Sequence, residues 1–210
     1  MSIASRISAA NRKRKYEHFL AAFPLSESTA ILDVGYSNKE YSDSENYLER
    51  HYPYPKNITA LGVTEPGEFA ERYPDVKTVV YDGTVFPFAD KQFDVCWSNA
   101  VIEHVGDRDR QILLLREIRR VSRAAYITTP NRCFPFEVHT KFPLLHWLPK
   151  PWFDHALRML GKEWAAGDFM HLLSLREIKA LLAEAGIEAC TIAKNRFCGF
   201  AMDFSISMRF

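Results

Sequence analysis

Apolar residues fall along this chain in short dense runs separated by amphipathic stretches. Five β-rich runs stand out, at residues 30–34, 58–63, 76–81, 93–98 and 124–129. Helical patterns lie between them at 44–51, 67–73 and 107–121. The third is the clearest, with Ile112, Leu115, Ile118 and Val121 on one stripe and Arg116, Arg119 and Arg120 outside it. Short apolar runs alternating with helices are the sequence mark of a parallel sheet with crossover helices. Further on, Ser174 with Glu177 three residues later predicts a capped helix that Gly186 ends. Two last β-like runs, 188–193 and 200–208, predict a hairpin at the sheet edge.

Two segments break the alternation. Residues 1–20 hold five basic residues (Arg6, Arg12, Lys13, Arg14, Lys15) against one acid, Glu17, and are read as a solvated face of an N-terminal helix over 1–24. Residues 131–173 are a long interruption rich in Pro, Trp, Phe and His. A stretch of that length without regular alternation predicts a functional loop or lid. The expected organisation is one doubly wound domain over 1–210, with the helix at its start and the lid inserted at 131–173.

Composition narrows the classes. Hydrophobic residues make up 47 % and charged residues 25 %, ordinary for a globular protein. A net charge of +1 argues against a protein that coats nucleic acid, and no RNA-binding module is legible. No apolar run approaches the ~18 residues that cross a bilayer, and the start lacks a signal-peptide pattern. The four cysteines (Cys96, Cys133, Cys190, Cys198) form no CxxC pair and read as reduced thiols, so a cytoplasmic location is expected.

In an open α/β sheet, ligands bind outside the carboxyl ends of the strands. The first strand ends in Asp33-Val34-Gly35, where Gly35 permits a backbone approach that a side chain forbids. Asp33 is an acid in an apolar strand, there either for a ligand or to tie down its own turn. The second ends in Val63-Thr64-Glu65, and Glu65 either accepts ribose hydroxyls or opens the next helix. After the third come Asp82-Gly83-Thr84 and Phe86-Pro87-Phe88, an acid at a tight turn beside apolar residues suited to an adenine ring. The fourth gives Phe93-Asp94-Val95-Cys96-Trp97-Ser98-Asn99, then Val101-Ile102-Glu103-His104-Val105.

Taken in order, Asp33-Val34-Gly35, Asp82-Gly83-Thr84, Phe86-Pro87-Phe88-Ala89-Asp90, Phe93-Asp94-Val95, Val101-Ile102-Glu103-His104-Val105 and Arg116-Glu117-Ile118-Arg119-Arg120-Val121 resemble class I S-adenosylmethionine-dependent methyltransferases, the type 11 group above all. The resemblance covers about residues 28–130. The run from Thr129-Pro130-Asn131-Arg132 to His146-Trp147-Leu148-Pro149 is similar to a subgroup linked with cell-surface polysaccharide or lipid modification. The resemblance implies an α/β, Rossmann-like seven-stranded sheet of order 3-2-1-4-5-7-6, strand 7 antiparallel, with helices on both faces. It implies S-adenosyl-L-methionine as cofactor and S-adenosyl-L-homocysteine as product. By position, the resemblance implies Asp33 and Gly35 at the methionine part, Glu65 at the ribose, Asp82 and Gly83 at the adenine, and Ser98 and Asn99 at the sulfonium side, with Tyr36 and Thr64 also among the cofactor-binding residues. Two departures are visible. Tyr36, Ser37, Asn38 and Lys39 stand where the family has further glycines, and Thr64 occupies the place of the usual acid, with Glu65 one residue on.

The expected function is O-methylation of a sugar, a lipid-linked saccharide or another small metabolite. The alternative is a catalytically silent S-adenosylmethionine-binding protein. His104 and, in the lid, His139 are the candidate bases, because imidazole titrates near neutral pH; the other reading of His104 is a helix cap or a ring packed beneath the cofactor. The lid mixes Phe142, Leu144, Leu145, Trp147, Leu148, Trp152 and Phe153 with Lys141, Lys150, Arg158 and Lys162, suiting a cover over the acceptor, a peripheral membrane contact or a subunit interface. A monomer or homodimer is expected, with a small-molecule or saccharide acceptor as partner. No metal is expected, since Cys133, His139 and His146 match no zinc-ligand spacing. A nicotinamide enzyme is a distant third, because no GxGxxG turn is present.

Overall fold

The structure is a computed structural model that describes residues 3–136, 144–163, 167 and 170–210. Its strands are β1 (Ile31–Val34), β2 (Ile58–Gly62), β3 (Lys77–Val80), β4 (Val95–Asn99), β5 (Ala124–Pro130), β6 (Cys190–Phe197) and β7 (Phe200–Arg209). They form a seven-stranded sheet of order β3-β2-β1-β4-β5-β7-β6. β1 to β5 pair in parallel, and β7 runs antiparallel to both β5 and β6. This is the expected topology. Its switch point lies between β1 and β4, whose register aligns Ile31 with Val95 and Asp33 with Trp97.

Side-chain alternation divides the strands between two cores. Ile31, Val95, Trp97 and Tyr126 face α1 (Ile3–Ala22), α2 (Tyr47–His51) and α3 (Glu68–Arg72). Leu32, Val34, Cys96, Ala125 and Ile127 face α4 (Arg108–Val121) and α6 (Leu175–Glu184). The apolar stripe of α4 is buried as its periodicity predicts, and Asp107 caps the helix by accepting from the Arg110 amide at 3.1 Å. Ser174 and Glu177 form the predicted reciprocal capping box at the start of α6.

Helix α1 departs from its sequence reading. Tyr16, Phe19 and Phe23 pack on the sheet, with Phe19 edge-on to Trp97 at 4.9 Å. Lys15 lies on the same side and is buried, in an ion pair with Asp203 of β7 at 3.2 Å. Asp203 also accepts from Asn11 at 2.5 Å and Asn195 at 2.6 Å. The basic start of the chain is therefore not merely a solvated face: one of its charges is built into the protein.

The connection after β5 holds a helix that the sequence reading did not assign, α5 (Lys150–Met159). Phe153 and Leu157, one turn apart, bury against Met170 in a small core of their own. Trp152, Met159 and Leu160 continue the apolar side of the helix at its exposed margin, with Asp154, His155 and Arg158 opposite. Pro151 is tolerated because it sits in the first turn.

Candidate functional site

The carboxyl ends of β1 and β4 meet at Gly35. Its φ is +95°, and a Cβ there would lie 2.4 Å from Val101 Cγ2, so only glycine lets the two loops close on each other. The Gly35 amide donates to the Leu61 carbonyl at 2.9 Å, which ties the same loop to β2. Asp33 is buried on the α2 side, hydrogen-bonded to the buried Glu49. Burial together with that neighbouring carboxylate pushes Asp33 well above the usual carboxylate range, and burial raises Glu49 as well. Two buried carboxyls thus lie together under the loop, an arrangement that Asp33 alone did not reveal.

The loop after Gly35 is anchored rather than glycine-rich. Tyr36 is buried, its ring stacks on Phe69 at 4.7 Å, and its hydroxyl donates to the Thr64 carbonyl at 2.5 Å. A Cβ on Gly62 would meet the Tyr36 ring at 2.5 Å, so the bare end of β2 makes room for the tyrosine. Asn46 holds Ser37 through its amide and carbonyl at 2.8 and 2.9 Å. Glu40, with a side chain only 5 % exposed, takes hydrogen bonds from Tyr73 at 2.6 Å and Asn46 at 2.9 Å and pairs with Arg50 and Arg72.

Burial alone would raise the Glu40 carboxyl, but the bonds from Tyr73, Asn46 and Arg72 and the charge of Arg50 outweigh it and hold it below its ordinary 4.5. A depressed acid stabilises the fold above its unfolded pKa and loses that contribution as pH falls through the folded one. Glu40→Gln is therefore expected to cost about 2 kcal/mol at neutral pH. Urea denaturation at pH 7 and pH 3.5 should show the gap between variant and parent narrowing at the lower pH.

Beyond Gly62 the chain leaves the sheet, since the Tyr81 amide makes its bond to the Gly62 carbonyl and Val63, Thr64 and Glu65 are all exposed. The shift of the acid from Thr64 to Glu65 thus falls in a turn, where strand alternation no longer assigns faces. At β3 the exposed Asp82 accepts from the Thr84 amide at 2.9 Å and the Thr84 hydroxyl at 2.5 Å, bonds that lower its pKa. Gly83 follows with φ +82°. This turn is pinned from behind: Glu117 accepts from the Phe86 amide at 2.8 Å, and Arg120 donates to the Phe86 and Phe88 carbonyls.

At β4, Ser98 is fully buried with no partner for its hydroxyl among the described residues, while Asn99 is half-buried and accepts from the Thr128 hydroxyl at 2.7 Å. His104 closes a short 3-10 turn, Ile102–His104, at the same edge and is half-buried. That turn is held from several directions. Thr129 donates to the buried Glu103 carboxylate at 3.0 Å, the His171 amide to the Glu103 carbonyl at 2.7 Å, and Gln111 to the Ile102 carbonyl at 3.1 Å. His139 lies outside the described residues. Arg12 of α1 reaches the same edge, near Asp203, Glu103, Glu45 and Asp33. Burial draws its pKa down although all four acids raise it.

A cavity of about 280 Å³ lies beside this turn, between the starts of α4 and α6 and the connection after β5. Arg132, His146, Phe153, Met170 and His171 are among the residues lining it. Cys133 is exposed, whereas His146 is buried and bonded to the Phe134 carbonyl at 2.9 Å. Among the described residues no group of three or more potential metal ligands occurs, and no helix is long and apolar enough to cross a membrane.

The sheet order, with its reversed seventh strand and its switch point at Gly35, defines a class I methyltransferase fold. Residues 42–125 match the sequence profile of the type 11 family, described as "Methyltransferase domain". Residues 42–125 are thus similar to methyltransferase domains, and the chain has the fold seen in S-adenosylmethionine-dependent methyltransferases. No curated protein matches the sequence. Among solved structures, the chain is similar to a SAM-dependent methyltransferase from Aquifex aeolicus at 15 % identity, with a TM-score of 0.59 over 92 % of this chain and 88 % of that one. The N-terminal domain of EvdMO1, in the presence of SAH and D-fucose, is similar at 20 % identity and a TM-score of 0.56, over 94 % and 82 % of the two chains. A putative methyltransferase from Haloferax volcanii, in complex with the Trm112 methyltransferase activator, is similar at 14 % identity and 0.59, over 96 % and 93 %. The profile begins after Gly35, so the anchored Tyr36–Lys39 loop falls outside it.

Proposed function

We propose that this protein methylates a hydroxyl group on a small acceptor, a sugar in free or lipid-linked form. The observation that carries the reading is the junction at the switch point. There Gly35 closes on Val101, Glu65 and Asp82 stand exposed at the ends of neighbouring strands, and an acceptor-sized cavity lies behind the His104 turn. At about 280 Å³ the cavity is near the lower end of ordinary ligand pockets, of small-molecule scale. The D-fucose seen with a similar fold supports a sugar, by analogy of fold alone.

S-adenosylmethionine, when bound, supplies an electrophilic methyl group on a sulfonium. The backbone at Gly35 and Gly83 would admit the cofactor closely, Glu65 would accept the ribose hydroxyls, Asp82 would accept from the adenine amino group, and Asn99 would lie on the sulfonium side. Arg12 gives the cleft a cation suited to the cofactor's carboxylate. Transfer is an in-line displacement, so alignment is the main lever and contributes roughly 7–11 kcal/mol. His104, on a turn braced by Glu103 and Gln111, takes the acceptor hydroxyl proton as the oxygen attacks. The connection 131–173 acts as the lid that keeps water from the acceptor.

The test is methyl transfer from labelled S-adenosylmethionine to a panel of sugars, nucleotide sugars and lipid-linked saccharides, with tRNA and protein beside them. Label on a sugar hydroxyl is expected, and label confined to RNA or protein would overturn the acceptor class. His104→Ala is expected to lower the rate by about 10²–10⁴-fold with unchanged cofactor affinity. Full turnover in that variant would remove His104 as the base.

A further inference from the structure

The two departures from the family pattern, a tyrosine after Gly35 and an acid one residue late, meet in the structure at a single hydrogen bond. The Tyr36 hydroxyl donates to the Thr64 carbonyl at 2.5 Å, immediately before the peptide that leads to Glu65. Three things hold the ring in place for that bond: the Gly62 backbone with no side chain to oppose it, the stacked Phe69, and burial to 8 % exposure. Without that bond the Val63–Glu65 turn would be an exposed strand end, for no strand pairing extends past the Gly62–Val80 register.

We propose that Tyr36 is a positioning residue for cofactor recognition: by pinning the Thr64 carbonyl it aims the late acid, Glu65, at the ribose diol of the adenosyl ligand. The inference rests on the reading of Glu65 as the ribose acid. A glycine-rich loop has no side chain that reaches the turn after β2, so an acid standing one residue further along needs another fixture, and the tyrosine supplies it. Burial raises the Tyr36 pKa and the Glu65 charge raises it further, as nearness of the two groups requires. The phenol stays protonated at neutral pH and remains a donor, and the Thr64 carbonyl can only accept.

The experiment is calorimetric titration of S-adenosylhomocysteine and its 2′-deoxyribose analogue into the full chain, as parent, Tyr36→Phe and Glu65→Gln. Phenylalanine keeps the ring on Phe69 and Gly62 and removes only the hydroxyl, so folding is retained. In the parent, loss of one ribose hydroxyl from a charged acceptor is expected to weaken binding about tenfold or more. Glu65→Gln should largely abolish that preference. Tyr36→Phe should shrink it to a few-fold, by weakening the natural ligand while leaving the deoxy analogue nearly unchanged. A Tyr36→Phe protein that keeps the full preference, or that weakens both ligands equally, would overturn the positioning role and leave Glu65 standing. A parent or Glu65→Gln pair with the same preference would remove Glu65 as the ribose acid, and the inference with it. Failure of the parent to bind S-adenosylhomocysteine at all would overturn the cofactor site on which both rest.

Discussion

Lys15→Met is expected to lower the unfolding free energy by about 3–5 kcal/mol, the cost of breaking a buried ion pair from one side. Lys15 and Asp203 are 6 % and 4 % exposed, and the pair joins the first helix to the last strand. Methionine preserves the apolar stem but leaves Asp203 with the amides of Asn11 and Asn195 and the more distant Arg12 to face its charge. For a chain of this size the melting temperature should fall by roughly 10 °C. Adding Asp203→Leu should recover part of the loss, because two apolar groups of similar volume need no pairing. Thermal and urea denaturation of the two variants measure both effects. A loss below about 1 kcal/mol in Lys15→Met would place the ammonium in solvent.

Gly35→Ala is expected to weaken S-adenosylhomocysteine binding by about 10- to 100-fold while leaving the far-ultraviolet spectrum unchanged. A side chain at φ +95° costs about 1–3 kcal/mol in strain, and each 1.4 kcal/mol is tenfold in affinity. The added carbon would also lie 2.4 Å from Val101 Cγ2, so the β1 and β4 loops must part at the floor of the cleft. Gly161→Ala is the control, with φ +68° and nothing within 4 Å of the added carbon. It carries comparable strain outside the cleft and should leave cofactor affinity unchanged.

The parallel sheet was legible because strands buried on both faces read as dense apolar runs, and β1, β2 and β5 fall within a residue of those runs. The boundary at β4 is later, since Phe93 and Asp94 flank the strand and Asp94 serves the Ala30 amide at 2.9 Å instead. Chemistry at strand ends was legible as residue types, because topology places Gly35, Glu65, Asp82 and Asn99 on one edge. What it hid were partnerships across distance. Nothing near Asp33 in sequence names Glu49, and nothing near Tyr36 names Thr64. Lys15 did leave a signal, four residues before Phe19 on the apolar stripe of α1, but the neighbouring charges drew the reading toward solvent. Helix α5 was legible, with Trp152, Phe153, Ala156, Leu157 and Met159 on one side and Asp154, His155 and Arg158 on the other, but the Pro, Trp and Phe content of its surroundings led to a loop assignment.

The central claim is that the cleft at the switch point binds an adenosyl cofactor. The most direct measurement is isothermal titration of the whole chain with S-adenosylmethionine and S-adenosylhomocysteine, with NAD as the control. Micromolar binding of both adenosyl ligands, one per chain, is expected, with no heat from NAD. Binding of NAD instead, or no binding of either adenosyl ligand, would contradict it.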